Sequence, residues 1–495
     1  MENITSLRKN IRIAGDPNGD YVLYWMQINR RLHDNYALEY AVAWANKLKR
    51  PLIILEGLAC DYPWATARTS TFMLEGMAEH SHRLEHDNEV TYIPCIEQHA
   101  GRYSELVRIL CQRAAMLISD EYPVFIMRER NEQLEKELSI PFHTVDSSGI
   151  IPMALSEKAP YSAYIFRRMM QKHFLTCWLH PPDKNPLQTL QGHGSPDLPP
   201  NVRETQADGY RHLKSDATIG SLVRSLREPD HTIGPVAVKG TREAGLARLG
   251  DFISNDLMHY NDTRNDPDKE GTSRLSPWLH AGKISAFEVV NAAFGMQPDD
   301  WDVTAITPAG GKRDGFFGGA PSVVSFLDEV ITWRETGFHF AWHTSGYDQF
   351  DSLPGWARET LSDHADDRRD HIYTMDELAA SQTHDPVWNA AQTQLREEGR
   401  IHNYLRMLWG KKVLEWTPDP QTALEYLIDL NNTYAIDGRD PNSYSGIFWI
   451  FGRFDRAWGP ERPIFGKVRY MSSDSARKKI NMENYLKRYS GLSGI

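Results

Sequence analysis

Short apolar runs alternate with amphipathic segments over the first 150 residues of the chain. Each run is about four to eight residues long, which is typical of a buried strand, and apolar residues three or four positions apart predict helices between them. The predicted strands are Tyr21–Met26, Pro51–Glu56, Val90–Ile96, Ala115–Asp120 and Phe142–Val145, and the predicted helices are Asn35–Lys49, Ser70–His86 and Arg102–Arg113. Strands that alternate with helices predict an α/β domain with a parallel, Rossmann-like sheet. No GxGxxG pattern follows the first strand, so the dinucleotide fingerprint is absent.

The pattern changes after residue 180. Prolines and glycines are frequent between 180 and 240, which predicts a long connection, and beyond Gly240 the apolar spacing is helical almost throughout. The sequence therefore predicts three segments: an α/β domain at 1–180, a connection at 181–239 and an all-α domain at 240–495.

Composition narrows the class of protein. Apolar residues make up 41% and charged residues 24%, an ordinary globular mixture that excludes a disordered or fibrous chain. The net charge of −11 argues against a general nucleic-acid binder, since such proteins are usually basic. Four cysteines without a CxxC pair predict neither a metal site nor a disulfide framework. Without an apolar run of about 18 residues, we expect no membrane span and a cytoplasmic protein.

The most specific stretch of the sequence lies between residues 386 and 458. It includes PVWNAAQTQLREEGRIHNYLRMLWGKKVLEW and LNNTYAIDGRDPNSYSGIFWIFGRFDRAWG, and it closely resembles the class II cyclobutane pyrimidine dimer photolyases. Four further segments resemble the same family in the same order, at 23–38 (LYWMQINRRLHDNYAL), 240–253 (GTREAGLARLGDFI), 264–285 (RNDPDKEGTSRLSPWLHAGKIS) and 461–471 (ERPIFGKVRYM). The resemblance spans nearly the whole chain and is weakest at 180–240 and 290–325.

The resemblance implies light-driven DNA repair by an enzyme that binds FAD in its helical domain. Reduced FAD, excited by light, would donate an electron to a cyclobutane pyrimidine dimer that is flipped out of UV-damaged DNA. The resemblance also allows an antenna chromophore of unidentified chemistry in the N-terminal domain. A monomer is expected, because one chain holds both the flavin and the substrate residues. The alternative is a photolyase-like flavoprotein without repair activity, either a blue-light receptor or a redox enzyme.

A hydroxyl-rich loop precedes Pro277, a favoured residue at the start of a helix. Hydroxyls and a guanidinium at a helix start suit a phosphate, although an ordinary helix cap explains the same pattern more simply. The resemblance implies that the loop holds the FAD pyrophosphate together with Tyr260. The loop residues are Thr272, Ser273, Arg274, Leu275 and Ser276.

Three residues are implied to lie at the flavin ring. Arg406 and Asp437 would form a salt bridge that tunes the flavin. Asn431 would face flavin N5, which an amide can serve as donor or acceptor. Without the resemblance, a surface ion pair and a helix cap would be the simpler explanations.

Three tryptophans match the electron-transfer triad of the family and would photoreduce oxidised FAD. Trp409 and Trp416 are seven residues apart, about 10 Å along one helix face. Trp388 completes the triad. Taken alone, the three residues would be expected to be ordinary core tryptophans.

Four residues match positions that contact the pyrimidine dimer: Glu329, Trp333, Met407 and Trp449. Glu329 and Trp333 are four apart and so share one face of an α-helix. The two tryptophans would wall the extruded dimer, as aromatic rings do for flipped bases. Glu329 would hydrogen-bond a thymine carbonyl. Because an ionised carboxylate only accepts, this bond requires either a protonated carboxyl or donation through a neighbouring group, and we hypothesise that the pKa of Glu329 is raised.

The sequence departs from the family pattern at two places, and its C-terminal region is basic. Arg334–Phe340 (RETGFHF) replaces a RELADNF-like run, and Phe454 replaces a histidine, so the departures affect the substrate side more than the flavin side. Residues 461–495 hold eight basic and three acidic residues, a net charge of +5 that suits phosphate contacts. The acidic average therefore does not exclude DNA, but it predicts a small salt dependence of binding.

Overall fold

The computed structural model describes residues 5–98 and 101–490, and the chain forms two compact units. The first unit holds the chain up to Leu155 together with His173–Leu249 and Leu275–Asn291, and the second holds Ser156–Lys172, Gly250–Arg274 and the chain from Ala292 onward. The units are described separately below.

A six-stranded sheet forms the centre of the first unit. Its strands are β1 (Lys9–Ile13), β2 (Tyr21–Met26), β3 (Leu52–Leu58), β4 (Val90–Ile96), β5 (Ala114–Asp120) and β6 (Phe142–Val145), in the order β1-β6-β5-β2-β3-β4. All neighbours are parallel except β1, which pairs antiparallel with β6 at one edge. Every residue of β2, β3 and β5 is buried, as expected of a parallel sheet covered on both faces. The predicted α/β fold with a parallel sheet is confirmed, and the edge strand β1 is an addition.

Helices connect the strands and cover the sheet. Asn35 caps the first of them by accepting hydrogen bonds from Ala37 N and Leu38 N. The helices that lie mainly in this unit are Tyr36–Leu48, Ala67–Leu84, Arg102–Cys111, Phe125–Glu137, Pro200–His212, Asp216–Ser225, Arg242–Asp251, Ser276–His280 and Ala286–Phe294, and Ala163–Trp178 runs through both units. The segment 181–239 therefore contains two regular helices.

Helices also build the second unit, so the predicted helical C-terminal region is confirmed. Its α-helices are Tyr260–Thr263, Pro321–Leu327, Arg334–Trp342, Gly355–Asp363, Met375–Ala379, Pro386–Glu398, Asn403–Trp416, Pro420–Tyr434, Pro441–Ile450, Ser473–Lys479 and Glu483–Tyr489. Two π-helical segments occur, at Phe252–Asp256 and Asp328–Trp333.

The apolar pattern over 386–416 divides into two helices. The first ends at Glu398, because Gly399 adopts a left-handed conformation with φ of 70° and closes the helix. The second begins at Asn403. The turn between them brings residues of the first helix against the second.

Two further observations concern the described residues. In the ranges 5–98 and 101–490, no helix is both long enough and apolar enough to cross a membrane. The four cysteines are unpaired and buried.

Candidate active site

The helix Asn403–Trp416 carries members of three of the four predicted groups of site residues: the flavin ring, the substrate contacts and the triad. Arg406 and Met407 are partly exposed, whereas Trp409 and Trp416 each retain only 3% of their surface. One rigid element therefore fixes the spacing between a flavin-ring residue, a substrate residue and two members of the triad.

The residues predicted for the flavin ring lie at the ends of neighbouring helices. Arg406 Nη2 is 3.7 Å from Asp437 Oδ1, within ion-pair distance. Asn431 is buried in the last turn of the helix Pro420–Tyr434, and its Nδ2 donates to Asn432 Oδ1 at 3.3 Å. Asn431 thus lies inside the helix and does not cap it.

Several buried polar atoms near this helix have no hydrogen-bond partner among the described residues. They are both ring nitrogens of His402, Nε2 of Gln392 and Oδ1 of Asp437. Buried polar groups are normally satisfied, so a ligand with several polar edge atoms would fit here, and FAD is such a ligand. Burial and the charges of Arg400 and Arg274 lower the pKa of His402 to about 4, so its ring is neutral. A lone histidine before a helix gave no signal in the sequence.

The three tryptophans form one ring cluster, with Trp388 in the middle. Its ring lies 6.5 Å from that of Trp409, nearly parallel at 6°, and 5.7 Å from that of Trp416, at 68°. Trp388 Nε1 donates to the Trp409 carbonyl at 3.0 Å, and Trp409 Nε1 donates to Gln392 Oε1 at 2.9 Å. Trp388 therefore divides the distance between Trp409 and Trp416 into two short steps.

The hydroxyl-rich loop has unusual backbone geometry. Glu270 and Arg274 both have positive φ, 49° and 57°, and the Arg274 guanidinium pairs with the Glu270 carboxylate. Non-glycine residues pay for this conformation, and such strain persists mainly at functional sites. Thr272–Arg274 belong to the second unit, and Leu275 and Ser276 to the first. The helix that begins at Ser276 is only five residues long and has no side-chain cap from Leu275.

A later part of the chain holds this loop. Asp268 accepts hydrogen bonds from the backbone N–H groups of Tyr485 (2.7 Å) and Asn484 (3.2 Å), and so caps the helix Glu483–Tyr489. Arg488 Nη1 lies 3.0 Å from Glu270 Oε1. The sequence gave no indication of this contact, because the partners are more than 200 residues apart.

Tyr260 and Glu329, predicted for the cofactor and the substrate respectively, share one cluster. The Arg264 guanidinium lies 5.2 Å from the Tyr260 ring centre and 2.5 Å from Glu329 Oε1. Burial raises the pKa of Tyr260, and the Glu329 charge adds to the shift. Burial also raises the pKa of the Glu329 carboxyl, although Arg264 opposes the shift. The direction agrees with the hypothesis of a raised pKa.

Glu329 and Trp333 lie in a π-helical turn, Asp328–Trp333, where the sequence spacing predicted an α-helix. The predicted segment is α-helical only as far as Leu327. Such insertions are frequent at functional sites. They change the angle between side chains four residues apart, which α-helical spacing cannot reveal.

The predicted substrate residues remain accessible. Glu329, Trp333, Met407 and Trp449 are all partly exposed. Trp449 has two cations at its ring: Lys411 Nζ at 4.9 Å and Arg469 Cζ at 5.3 Å from the centroid. Its surroundings are thus polar and charged, and its ring, unlike those of the buried triad, is partly open to solvent.

Comparison with known proteins identifies the family. Residues 22–188 match the DNA photolyase family model. The chain is 34% identical over 478 residues to the deoxyribodipyrimidine photo-lyase of Methanothermobacter thermautotrophicus, covering 96% of both chains. This chain belongs to the photolyase family. Proteins with the same name from Arabidopsis thaliana and Potorous tridactylus are 32% and 31% identical, over 96% and 94% of this chain and 90% and 81% of theirs.

A solved structure shows the same fold. The crystal structure of a bacterial class III photolyase from Agrobacterium tumefaciens has a TM-score of 0.64 with this chain at 18% identity. It covers 96% of this chain and 88% of its own. The photolyase fold therefore extends over both units.

The segment Arg334–Phe340, which departs from the photolyase pattern at residues 336–339, packs against the second departure, Phe454. The rings of Phe454 and Phe340, a residue that the pattern shares, meet edge to face at 5.7 Å, and the Arg453 guanidinium lies 4.1 Å from the Phe340 ring. Gly337 lies against the Pro441 backbone, where a Cβ would come within 2.7 Å of the carbonyl oxygen. The altered segment and Phe454 therefore belong to one packing group.

Part of the basic C-terminal region of this photolyase is neutralised internally. Lys467 pairs with Glu461 at 3.1 Å and Arg469 with Asp455 at 2.9 Å. Arg488 is paired with Glu270, as described above. Arg477, Lys478 and Lys479 are exposed in the last turn of one helix. Three of the eight basic residues there therefore have an internal acidic partner.

Proposed function

We propose that this photolyase is a class II deoxyribodipyrimidine photo-lyase that repairs cyclobutane pyrimidine dimers in UV-damaged DNA. When bound, reduced FAD would supply the light-excited electron that opens the dimer ring. The chain's own part is to bind and orient the two reactants and to exclude water between them.

The flavin side is formed by residues of the second unit and the adjoining loop. Arg406 and Asp437 would hold the ring system, with Asn431 at its N5 position. The loop Thr272–Ser276 with Tyr260 would hold the pyrophosphate. The neutral His402 ring can donate one hydrogen bond and accept another without adding charge.

The substrate side depends on two rings and one carboxyl group. Trp333 and Trp449 would stack against the flipped dimer, and Met407 would fill the remaining apolar surface. In its protonated form, which burial favours, Glu329 would donate to a thymine carbonyl, with Arg264 fixing its position.

The observation that carries the proposal is the helix Asn403–Trp416, which holds Arg406, Met407, Trp409 and Trp416 in one frame. A redox protein without a lesion would need Arg406 and the tryptophans but not a partly exposed Met407 beside them. The buried rings of the triad would pass electrons towards bound oxidised flavin, a step that prepares the enzyme for repair without being part of the repair.

The test is light-dependent repair by the purified protein. Its flavin spectrum is recorded first, and the protein is then illuminated with an oligothymidine that contains dimers. We expect the dimers to disappear in the light and to persist in the dark. Bound FAD without any loss of dimer would contradict repair and favour a blue-light receptor or redox enzyme, which the departures in the Arg334–Phe340 run and at Phe454 would then explain. Any additional chromophore released on denaturation would identify an antenna.

A further inference from the structure

An exposed aromatic and basic face lies at the start of the helix Ala163–Trp178. Tyr161, Tyr164 and Ile165 expose 60%, 49% and 45% of their surface, and Arg168 and Lys172 are exposed as well. Tyr164 and Ile165 lie three or four residues before Arg168, and Lys172 lies four after it, so these four lie along one side of the helix, while Tyr161 lies two residues before its first residue. Phe166 and Met170, each 1% exposed, face the interior. Large exposed aromatic side chains in a group usually mark an interaction surface.

A glycine-rich loop adds two more cations to this face. Gln171 Nε2 donates to the Lys312 carbonyl at 2.7 Å, and Gln171 Oε1 accepts from Gly311 N at 2.8 Å. Gly311 has φ of 89°, and a Cβ there would come within 2.3 Å of Arg168 Cγ. The loop is therefore fixed against the helix, with Lys312 and Arg313 exposed beside Arg168. We call these seven residues the Tyr161 face: Tyr161, Tyr164, Ile165, Arg168, Lys172, Lys312 and Arg313.

The Tyr161 face is tied to the substrate helix. Arg167 forms a two-pronged ion pair with Asp328, at 2.9 and 3.0 Å, and its Nη1 donates to the Gly311 carbonyl at 3.3 Å. Asp328 directly precedes Glu329. The face therefore begins next to the residue proposed to hold the dimer.

The Tyr161 face is positively charged, which favours an anionic partner. Residues 158–172 include Lys158, Arg167, Arg168 and Lys172 and no carboxylate. Arg167 is neutralised by Asp328, and Arg313 contacts Asp314 at 3.0 Å. The remaining cations lie beside two tyrosines, the combination that proteins use to follow a nucleic-acid strand, with cations for phosphates and rings for bases or sugars.

We propose that the Tyr161 face binds the DNA that flanks the dimer, with Arg168, Lys172 and Lys312 at phosphates and Tyr161 and Tyr164 against a neighbouring nucleotide. This inference rests on the proposed function, since it assumes that the dimer lies at Glu329. It also moves the main flanking contact from the C-terminal residues, where the sequence placed it, to the Tyr161 face.

The test compares a long and a short substrate. The double variant Arg168→Gln with Lys172→Gln is measured against a control, Lys136→Gln with Lys214→Gln, which removes two exposed cations from other helices and loops. Binding is followed over a range of salt concentrations, both for a duplex that extends well past the dimer and for a dimer with one nucleotide on each side.

For the Arg168 and Lys172 variant on the long duplex, we expect several-fold weaker binding and a decrease of roughly two in the salt slope. The short substrate and the control variant should bind as the wild type does. Wild-type binding and slope on the long duplex would overturn the proposal and would favour an acidic protein as the partner. Equal losses on both substrates would also overturn it, because they would show a damaged pocket.

A second variant tests the aromatic part. Tyr161→Ala with Tyr164→Ala should weaken long-duplex binding roughly fivefold or more with an unchanged salt slope, because stacking carries no charge. Unchanged affinity would contradict the role of the rings. If the wild type shows no preference for dimer-containing DNA at all, the proposed function fails. The salt slopes of the wild type and of the Arg168 and Lys172 variant on undamaged duplex would still show whether the Tyr161 face binds DNA.

Discussion

Two groups of tryptophans in the second unit differ in their exposure to solvent. Trp388, Trp409 and Trp416 retain at most 3% of their surface, and the indole N–H groups of Trp388 and Trp409 are satisfied by internal acceptors. Trp333 and Trp449 are partly exposed. Trp416 and Trp449 both have lysine nitrogens at their rings, so exposure and not charge separates the groups. The same side chain is thus used in a buried cluster and at an open wall.

The difference explains how neighbouring rings can have separate functions. A dry, closely spaced cluster keeps its geometry whether or not a ligand is present, as an electron path requires. An open ring must first lose water and then stack, so its contribution appears only when a base arrives. Changes in one group should therefore leave the function of the other intact.

The largest effect is expected for Trp388→Phe. Phenylalanine keeps most of the ring volume but is far harder to oxidise, so the step between Trp409 and Trp416 is lost. Photoreduction of bound oxidised flavin, followed by flavin absorbance under blue light with an external thiol, should slow by an order of magnitude or more. Trp409→Phe should behave alike. Repair by chemically pre-reduced variants should be close to wild type, and its loss would refute the separation of the two groups.

Trp333→Ala and Trp449→Ala should produce the reverse pattern. Each variant loses stacking of about 1–3 kcal/mol, which corresponds to roughly 5- to 150-fold weaker binding of a dimer-containing oligonucleotide. The photoreduction rate should not change. Titration of labelled oligonucleotide gives the affinity, and an unchanged Kd in both variants would place the dimer elsewhere.

A smaller, pH-dependent effect is expected at Glu329. Only the protonated carboxyl donates to a carbonyl, so wild-type affinity for the dimer should fall as pH rises through the raised pKa of Glu329. Loss of one hydrogen bond of about 0.5–1.5 kcal/mol corresponds to roughly 2- to 12-fold.

The matched variant for this test is Glu329→Gln, whose amide donates at every pH and should give a flat profile. The contribution of Glu329 to the free energy of unfolding should also decrease as pH rises. The raised pKa stabilises the folded protein below the ordinary glutamate range, and this contribution is lost as pH rises through the folded value. If the dimer affinities of the wild type and of Glu329→Gln changed with pH in the same way, Glu329 would be excluded as the titrating group.

The smallest effect on dimer binding is expected for Lys411→Met. Burial lowers the pKa of Lys411 from 10.5 to about 7. At acidic pH the charged Lys411 ammonium lies over the Trp449 ring, and such a cation–π contact contributes about 0.5–2 kcal/mol. We expect a few-fold change in affinity below neutral pH and almost none well above it.

Thermal unfolding provides an independent check of Lys411. Its burial costs stability while it is charged, and the cost is relieved as pH rises from about 7 towards 10.5, because the folded protein releases the proton first. The gain in Tm of Lys411→Met over wild type should therefore be largest in acid. A gain that does not vary with pH would contradict a titrating lysine.

Local pattern predicted the sheet well, because β2, β3 and β5 are mainly apolar and buried at every position. It missed β1, whose apolar residues are few, and the helix Phe125–Glu137. Resemblance supplied the predicted site residues, and the structure brings Tyr260 together with Glu329, and Arg406 with Asp437.

Other features of the site were beyond sequence reasoning for physical reasons. The π-helical turn at Glu329 depends on backbone hydrogen bonds that residue spacing does not encode. The orphaned ring of His402 is defined by what surrounds it, and the Tyr161 face depends on the distant Gln171 and Gly311 contacts.

The capping of the helix Glu483–Tyr489 by Asp268 has a consequence for biosynthesis. Asn484 is 216 residues further along the chain than Asp268, so at about 5–20 residues per second the ribosome reaches it roughly 10 to 40 seconds later. Until then Asp268 and Glu270, which precede the hydroxyl-rich loop, lack their contacts with the helix Glu483–Tyr489. Stable capture of the cofactor would then be one of the last events in the maturation of the enzyme, and a nascent chain halted before Asn484 would be made without it.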